Sequence, residues 1–285
     1  MKPDITAVNQ LLNEASAIVN DDTVVPYEGN DYKVGIDLGT ADIQTIILDG
    51  NNHPVACYLD WSDVVRDGVV VDYFGACQIV KQQLQRANQR LGINIEQAVT
   101  SFPPGTDSRI SVNVVEAAGI EVTDVVDEPC SVAALLQLDH AAVVDIGGGT
   151  TGTAIIEKGR VVKSVDDPTG GHHITLTLAG HNGLNYEEAE LIKRQDKSGD
   201  VLQVVRPVIQ KMADLVKAHI AEHAPPVIYV TGGCCALHGF AQVFSNEFPD
   251  IQVVIPSQPI YLTPLAIAAF STTETAQLVN RGGYV

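Results

Sequence analysis

Along the chain, apolar residues come in short runs broken by glycine or polar turns, and their spacing alternates between strand-like and helical. Residues 1–30 read as an N-terminal arm. In it, Val8, Leu11, Leu12, Ala15, Ile18 and Val19 line one face of a short helix before a polar turn at 20–22. Such a helix would dock on a partner or pack on its own domain. From Lys33 the pattern becomes β-rich. Strands are predicted over 34–37, 43–48, 55–59, 69–71 and 98–102, the last stopped by Pro103 and Pro104. Phe74, Ile79, Val80, Leu84, Ala87 and Leu91 mark a helix ended by Gly92, and further helices are predicted over 108–118 and 131–138.

The second half repeats this grammar. Strands are predicted over 141–145, 153–157 and 161–165, then helices over 186–194 and 205–219, the second with Pro207 in its first turn. A strand at 227–231, a helix at 237–248, a strand at 251–255 and a helix at 264–270 complete the pattern. Strands interleaved with helices argue for an α/β fold built in layers.

Within this grammar lies a true repeat. Val34-Gly-Ile-Asp-Leu-Gly-Thr40 matches Val143-Val-Asp-Ile-Gly-Gly-Gly-Thr150, and each is followed by a second apolar strand. An Asp (Asp37, Asp145) stands at the end of each first strand, beside a glycine turn and a small hydroxyl residue (Thr40, Thr150). Glycines permit close ligand approach, and successive backbone amides in such a turn suit phosphate oxygens. The carboxylates repel phosphate, so they make sense as ligands of Mg²⁺, direct or through water. Two facing turns would clamp a polyphosphate from both sides. The structural alternative is a pair of plain hairpins with glycine turns.

Rival motifs fare less well. Gly147 to Gly152 satisfies GxGxxG, but a β-branched strand follows where the dinucleotide fingerprint requires a helix. The GxxxxGK[ST] phosphate loop is absent, since the chain has no Gly-Lys pair. A third glycine site, Gly232-Gly233, ends an apolar strand and suits a flat neutral group such as adenosine.

Composition narrows the function. The 285 residues allow two domains, and 17 basic against 35 acidic residues give 17 − 35 = −18. That balance argues against a nucleic-acid partner and against an anionic membrane surface. No apolar run is long enough to span a bilayer, and the start of the chain has no signal-like pattern, so a cytoplasmic placement is expected. The five cysteines show no zinc or CxxC spacing and read as free thiols.

Taken in order, the motifs resemble those of the actin, DnaK and sugar-kinase superfamily. Residues 34–40 resemble its first phosphate motif, 144–150 its second and 227–233 its adenosine motif; Asp127-Glu-Pro-Cys-Ser-Val-Ala133 and Thr263-Pro-Leu-Ala-Ile-Ala-Ala269 look like its two connecting segments. The resemblance implies an actin-like ATPase fold: two duplicated RNase H-like domains with reduced or missing lid subdomains. Residues 31–140 would form domain I, completed by a C-terminal helix within 259–285, and 141–258 domain II. Three further stretches, 59–68, 101–107 and 169–180, resemble the EutJ family of ethanolamine-utilization proteins.

That resemblance implies ATP or ADP with Mg²⁺ as ligands. Asp37 and Asp145 would hold the metal through water, and Gly39, Thr40, Gly147, Gly148, Gly149, Gly170 and Gly171 would meet phosphates. Glu128, Asp145 and Thr150 would be the catalytic set, with Glu128 orienting the attacking water. Glu190 and Lys193, on one helical face at i,i+3, would reach ribose and adenine beside Gly232 and Gly233; their alternative is a surface ion pair. The family implies a chaperone-like role, with ethanolamine ammonia-lyase or microcompartment shell proteins as partner and a place at a bacterial microcompartment. The chain also departs from the superfamily: Cys234-Cys235-Ala236 stands where chaperones place an adenine-stacking Arg, and the stretch 193–232 leaves little room for a lid. A non-hydrolysing nucleotide-binding scaffold and a small-molecule kinase are the other functions compatible with these motifs. The lone Trp61 reads as a core or interface anchor.

Overall fold

The computed structural model describes residues 5–29, 31–66 and 69–270; residues 1–4 of the expected arm and 271–285 of the expected completing helix lie outside the described residues. Helix α1 (Thr6–Ala17) precedes a first unit of strands β1 (Tyr32–Leu38), β2 (Asp42–Asp49) and β3 (Pro54–Trp61) and a small ladder of β4 (Val65–Arg66) and β5 (Val69–Val70). Helix α2 (Tyr73–Leu91), β6 (Gln97–Phe102), α3 (Ser108–Ala117), β7 (Glu121–Asp127) and α4 (Glu128–Leu135) follow. The second unit runs β8 (His140–Ile146), β9 (Thr151–Glu157), β10 (Arg160–Asp167), α5 (Gly171–Asn182), α6 (Tyr186–Gln195), α7 (Asp200–Ile220), β11 (Val227–Thr231), α8 (Phe240–Asn246), β12 (Gln252–Val254) and α9 (Leu262–Ala269).

The two sheets have one plan, with strand orders β3-β2-β1-β6-β7 and β10-β9-β8-β11-β12. In each, three antiparallel strands are followed by two parallel ones. The sequence repeat is therefore a repeat of topology. Both sheets are apolar on both faces, as strands covered by helices on either side must be. Ile36, Ile43 and Ile47 face a core with α2 and α3, whereas Ile46 and Leu48 face a central core shared with the second sheet. Val144, Ile146 and Ile155 face an outer core with α5, α7 and α8.

The central layer is an exchange. Helix α9, last of the described elements, packs on β1 and β2 of the first sheet, whereas α4, at the end of the first unit, packs on β8 and β9 of the second. The two helices also pack on each other. Gly35 permits the close crossing, because a Cβ there would lie 2.3 Å from the Ala268 backbone nitrogen. Helix α1 adds Leu12 and Ala15 to this core, and Asn9 accepts from the Ser257 amide at 2.9 Å. Of the two placements open to the arm's helix, the structure shows packing on its own body. Arg90 extends that attachment by donating to the carbonyls of Asp21 and Thr23.

Several elements differ from the sequence expectation for identifiable reasons. Strand β7 went unmarked because Glu121-Val-Thr-Asp124 has no unbroken apolar run; its burial is one-sided until Val126. Helix α5, expected as loop, opens on two glycines and is rich in Thr and His, yet Ile174 and Leu178 at i,i+4 bury it. Helix α4 starts three residues earlier than expected, because the Asp127 carboxylate caps it by accepting from the Cys130 amide. Helix α7 starts at Asp200, where Asp196 accepts from the amides of Gly199 and Val201, so Pro207 lies inside it. The helix expected over 237–248 is shorter and follows a 3-10 turn, Gly233–Ala236.

Candidate functional site

The hairpin ends of the two sheets face each other. Asp37, one step beyond the Ile36–Thr100 pair, receives the Ser101 hydroxyl at 3.1 Å. Asp145 receives the Thr263 hydroxyl at 2.6 Å. Gly232 lies against it with φ +96°; a Cβ there would stand 2.5 Å from Asp145 Oδ1 and 2.4 Å from the Ile146 carbonyl. Here glycine is obligatory, and its task is to make room for a carboxylate.

The two turns touch. A Cβ on Gly148 would fall 2.5 Å from the Cβ of Ala41. The second turn is also backed from behind: Gly147 and Gly148 carbonyls accept from the amides of Gly171 and His172 at 3.0 and 2.7 Å, and Cys234 Sγ donates to Gly147 at 3.0 Å. Gly170 and Gly171 therefore sit behind the turn and do not line the cleft wall, and His172 packs on Tyr186 instead of facing inward.

Between the turns opens a cleft of about 260 Å³. The first unit lines it with Asp37, Gly39, Thr40, Asp42, Gln44 and Trp61. The second supplies Asp145, Gly147, Gly148, Gly149, Thr150, Glu190, Lys193, Arg194, Gly232, Gly233 and Cys234. Glu128 at the start of α4, with Ile260 and Thr263 leading into α9, completes the wall. Every residue singled out from sequence for the site lines it except Gly170 and Gly171.

The cleft concentrates buried acid. Burial raises the Asp37 carboxyl, and Asp145 and Asp42 raise it further against the Ser101 hydrogen bond. Burial likewise raises Asp145 despite Thr263, and raises Glu128 well above the usual range with help from Asp37 and Asp145. Asp42 is pushed up to about 6 and Asp166 to about 7, both chiefly by burial; Gln44 and Arg194 restrain the first, the Thr150 hydroxyl the second. Among the described residues no three His, Cys, Asp or Glu side chains converge closely enough to hold a bare metal ion.

On the opposite wall, Lys193 Nζ meets Glu190 Oε2 at 2.6 Å and Thr175 Oγ1 at 2.9 Å, and Thr175 itself donates to Glu190. Lys193, Thr175 and Arg194 outweigh burial and hold the Glu190 carboxyl low. The pair is thus an ion pair, as one expectation had it, but on the cleft wall, with side chains only 16% and 15% exposed.

Sequence reasoning passed over the cleft residues Asp42, Gln44 and Arg194, and also Asp166, which meets Thr150 from outside the cleft lining. Asp42 and Gln44 alternate along β2, so the period-two rule puts them on one face. The Gln44 Oε1 is buried and has no hydrogen-bond partner among the described residues. Asp166 stands opposite Gly152 in the β9–β10 ladder, a pairing that only the register reveals. Arg194 follows Glu190 at i,i+4 and binds it at 2.7 Å. Trp61 is not part of the core; it is 49% exposed at the cleft.

Residues 142–266 match the family model of the cell division protein FtsA, and residues 60–186 that of the MreB/Mbl protein. The ethanolamine utilization protein EutJ of Escherichia coli (strain K12) is 51% identical over 236 residues, 83% of this chain and 84% of that protein. The crystal structure of EutJ from Carboxydothermus hydrogenoformans superposes with a TM-score of 0.89 at 43% identity, covering 94% of this chain and all of that one. MreB 5 of Spiroplasma citri, solved bound to AMPPNP, has a TM-score of 0.67 at 18% identity over 90% of this chain and 100% of its own. No described helix is long and apolar enough to cross a membrane.

Proposed function

The chain belongs to the EutJ family of ethanolamine-utilization proteins, with the actin-like ATPase fold, and from that premise we propose that its cleft binds ATP or ADP with Mg²⁺ and that binding drives a chaperone-like action on a protein partner. The observation that carries the proposal is the meeting of Asp37 and Asp145, ends of two like hairpins, in one cleft whose glycine turns abut. The nucleotide in the S. citri relative lends support by fold alone.

The residues present fit a divalent cation. Carboxyls whose hold on a proton is raised by burial form a hard oxygen donor set, and the lack, among the described residues, of three converging ligands suits a hydrated ion held through its waters. Asp37 and Asp145 would hold Mg²⁺, which would supply charge neutralisation for the phosphates. Gly39, Thr40, Gly147, Gly148, Gly149 and Thr150 would position phosphate oxygens; Gly170 and Gly171 would act indirectly, by fixing the second turn. Glu190, Lys193, Gly232 and Gly233 would border the nucleoside.

Glu128, at the first position of α4, would orient a water for attack, and as a carboxylate would accept its proton. Its raised affinity for protons in the ligand-free chain favours slow turnover, which keeps a non-hydrolysing scaffold as the second reading. Helix α4 also packs on α9 and the second sheet, so closure at Glu128 is coupled to the central layer. The partner would be ethanolamine ammonia-lyase or a shell protein of a microcompartment.

A thermal-shift titration with Mg²⁺–ADP tests binding. Ligand at a hundredfold above its Kd stabilises by about 2.7 kcal/mol. Wild-type protein should show that shift and Asp145→Asn should lose it; equal shifts would remove the assigned metal site. Phosphate release from ATP then separates the ATPase from the scaffold.

A further inference from the structure

Contacts cross the cleft at two depths. Between the turns the Gly148 backbone abuts the methyl group and backbone of Ala41. The second crossing is made of side chains: the Arg194 guanidinium from α6 lies 3.7 Å from the centroid of the Trp61 ring, at the end of β3. Trp61 is 49% exposed, whereas Asp37 and Asp145 are 9% and 8% exposed, so this second contact stands where the cleft meets solvent.

Arg194 is oriented for the task. Its Nε is held by Glu190 Oε1 at 2.7 Å within α6, and its charge restrains Asp42 of the first unit. Asp42 and Trp61 are direct partners in the β2–β3 ladder. One cation thus stacks on an aromatic residue of the opposite unit and acts through space on the acid paired with it. A planar guanidinium stacked on an indole gains more than an ammonium would. The contact between the turns can part only if the two units move apart, but the mouth contact can open by side-chain rotation.

We propose that Arg194 and Trp61 form a clasp across the cleft mouth that sets how fast a bound nucleotide leaves. The inference rests on the nucleotide reading above and adds the element that regulates exchange. Loss of a contact of this kind should speed release by about 2- to 30-fold.

Trp61 is the only tryptophan of the chain, so its fluorescence reports the clasp directly. In ligand-free protein, Arg194→Ala should raise quenching of Trp61 by acrylamide; unchanged quenching would overturn the contact. Release of N-methylanthraniloyl-ADP with Mg²⁺, chased by excess ADP, should be faster in Trp61→Ala and in Arg194→Ala, and intermediate in Trp61→Phe. The double variant should release no faster than the faster single one, since both remove one interaction. Wild-type release rates in Trp61→Ala, or single effects that multiply in the double variant, would overturn the clasp while leaving nucleotide binding intact. Failure of wild-type protein to bind the fluorescent ADP would instead remove the nucleotide reading, and the gate with it.

Discussion

The two hairpins share strand order and an acid at the same place, yet they hold that acid differently. Beside Asp37 the neighbouring strand offers Ser101, which donates to it, and next comes Phe102. Beside Asp145 the corresponding residue is Thr231, which turns its hydroxyl to the Pro259 carbonyl, and next comes Gly232. Asp145 is served from the α9 side by Thr263, and helix α5 backs its turn. The second acid is thus held from α9 and its turn backed by α5 and Cys234, whereas Asp37 takes its hydrogen bond from its own sheet. Duplication kept the backbone plan and divided the support unevenly.

The largest expected effect breaks that bracing. Gly232→Ala would place a methyl group against both Asp145 and the Ile146 carbonyl at a positive φ, and should destabilise by about 2–3 kcal/mol in urea unfolding. Gly39→Ala, in the less braced turn, should cost less; equal losses would deny the asymmetry.

Next in size is the acid itself. Asp37→Asn removes a carboxyl that burial and Asp145 push up, so it should stabilise the ligand-free chain at about pH 8 while weakening Mg²⁺–ADP at least about 10-fold. Isothermal titration and thermal melts read the two effects, which should have opposite signs.

A pH series follows from the same groups. Asp166, near 7, and the raised Asp37 and Glu128 bind protons more tightly folded than unfolded. Their contribution to stability is full below the ordinary carboxylate range and is lost as pH rises through their folded-state values. Ligand-free protein should therefore lose stability between about pH 5 and about pH 8, by at least about 2 kcal/mol from these groups together. Mg²⁺–ADP should reverse the trend and release protons on binding. Calorimetry in two buffers of different ionisation heat checks the release.

Smaller again is the effect of Thr263→Val, which removes one hydrogen bond to Asp145 and should cost about 1 kcal/mol of stability. Ser101→Ala is its counterpart at Asp37, with a longer bond and a smaller loss.

What could be read from residues alone was local and periodic: the paired hairpins, the stripe of α2 and the glycine turns all repeat at short range. What could not be read depends on chain segments far apart. Asp166 matters because it pairs with Gly152, and Gly232 because Asp145 lies against it, neither of which spacing encodes. Arg194 lay one residue past the Glu190–Lys193 pair, but its role depends on a tryptophan from the other unit. Helix α5 was hidden by a composition of Gly, Thr and His, which marks loops when no core is there to override it.

The exchange of α4 and α9 has a consequence for how the polypeptide is made. On a ribosome the first sheet emerges early, but the helix that seals its inner face is encoded at 262–269, after the whole second sheet. Its apolar inner surface therefore stays bare through most of synthesis, and neither half is a complete folding unit by itself.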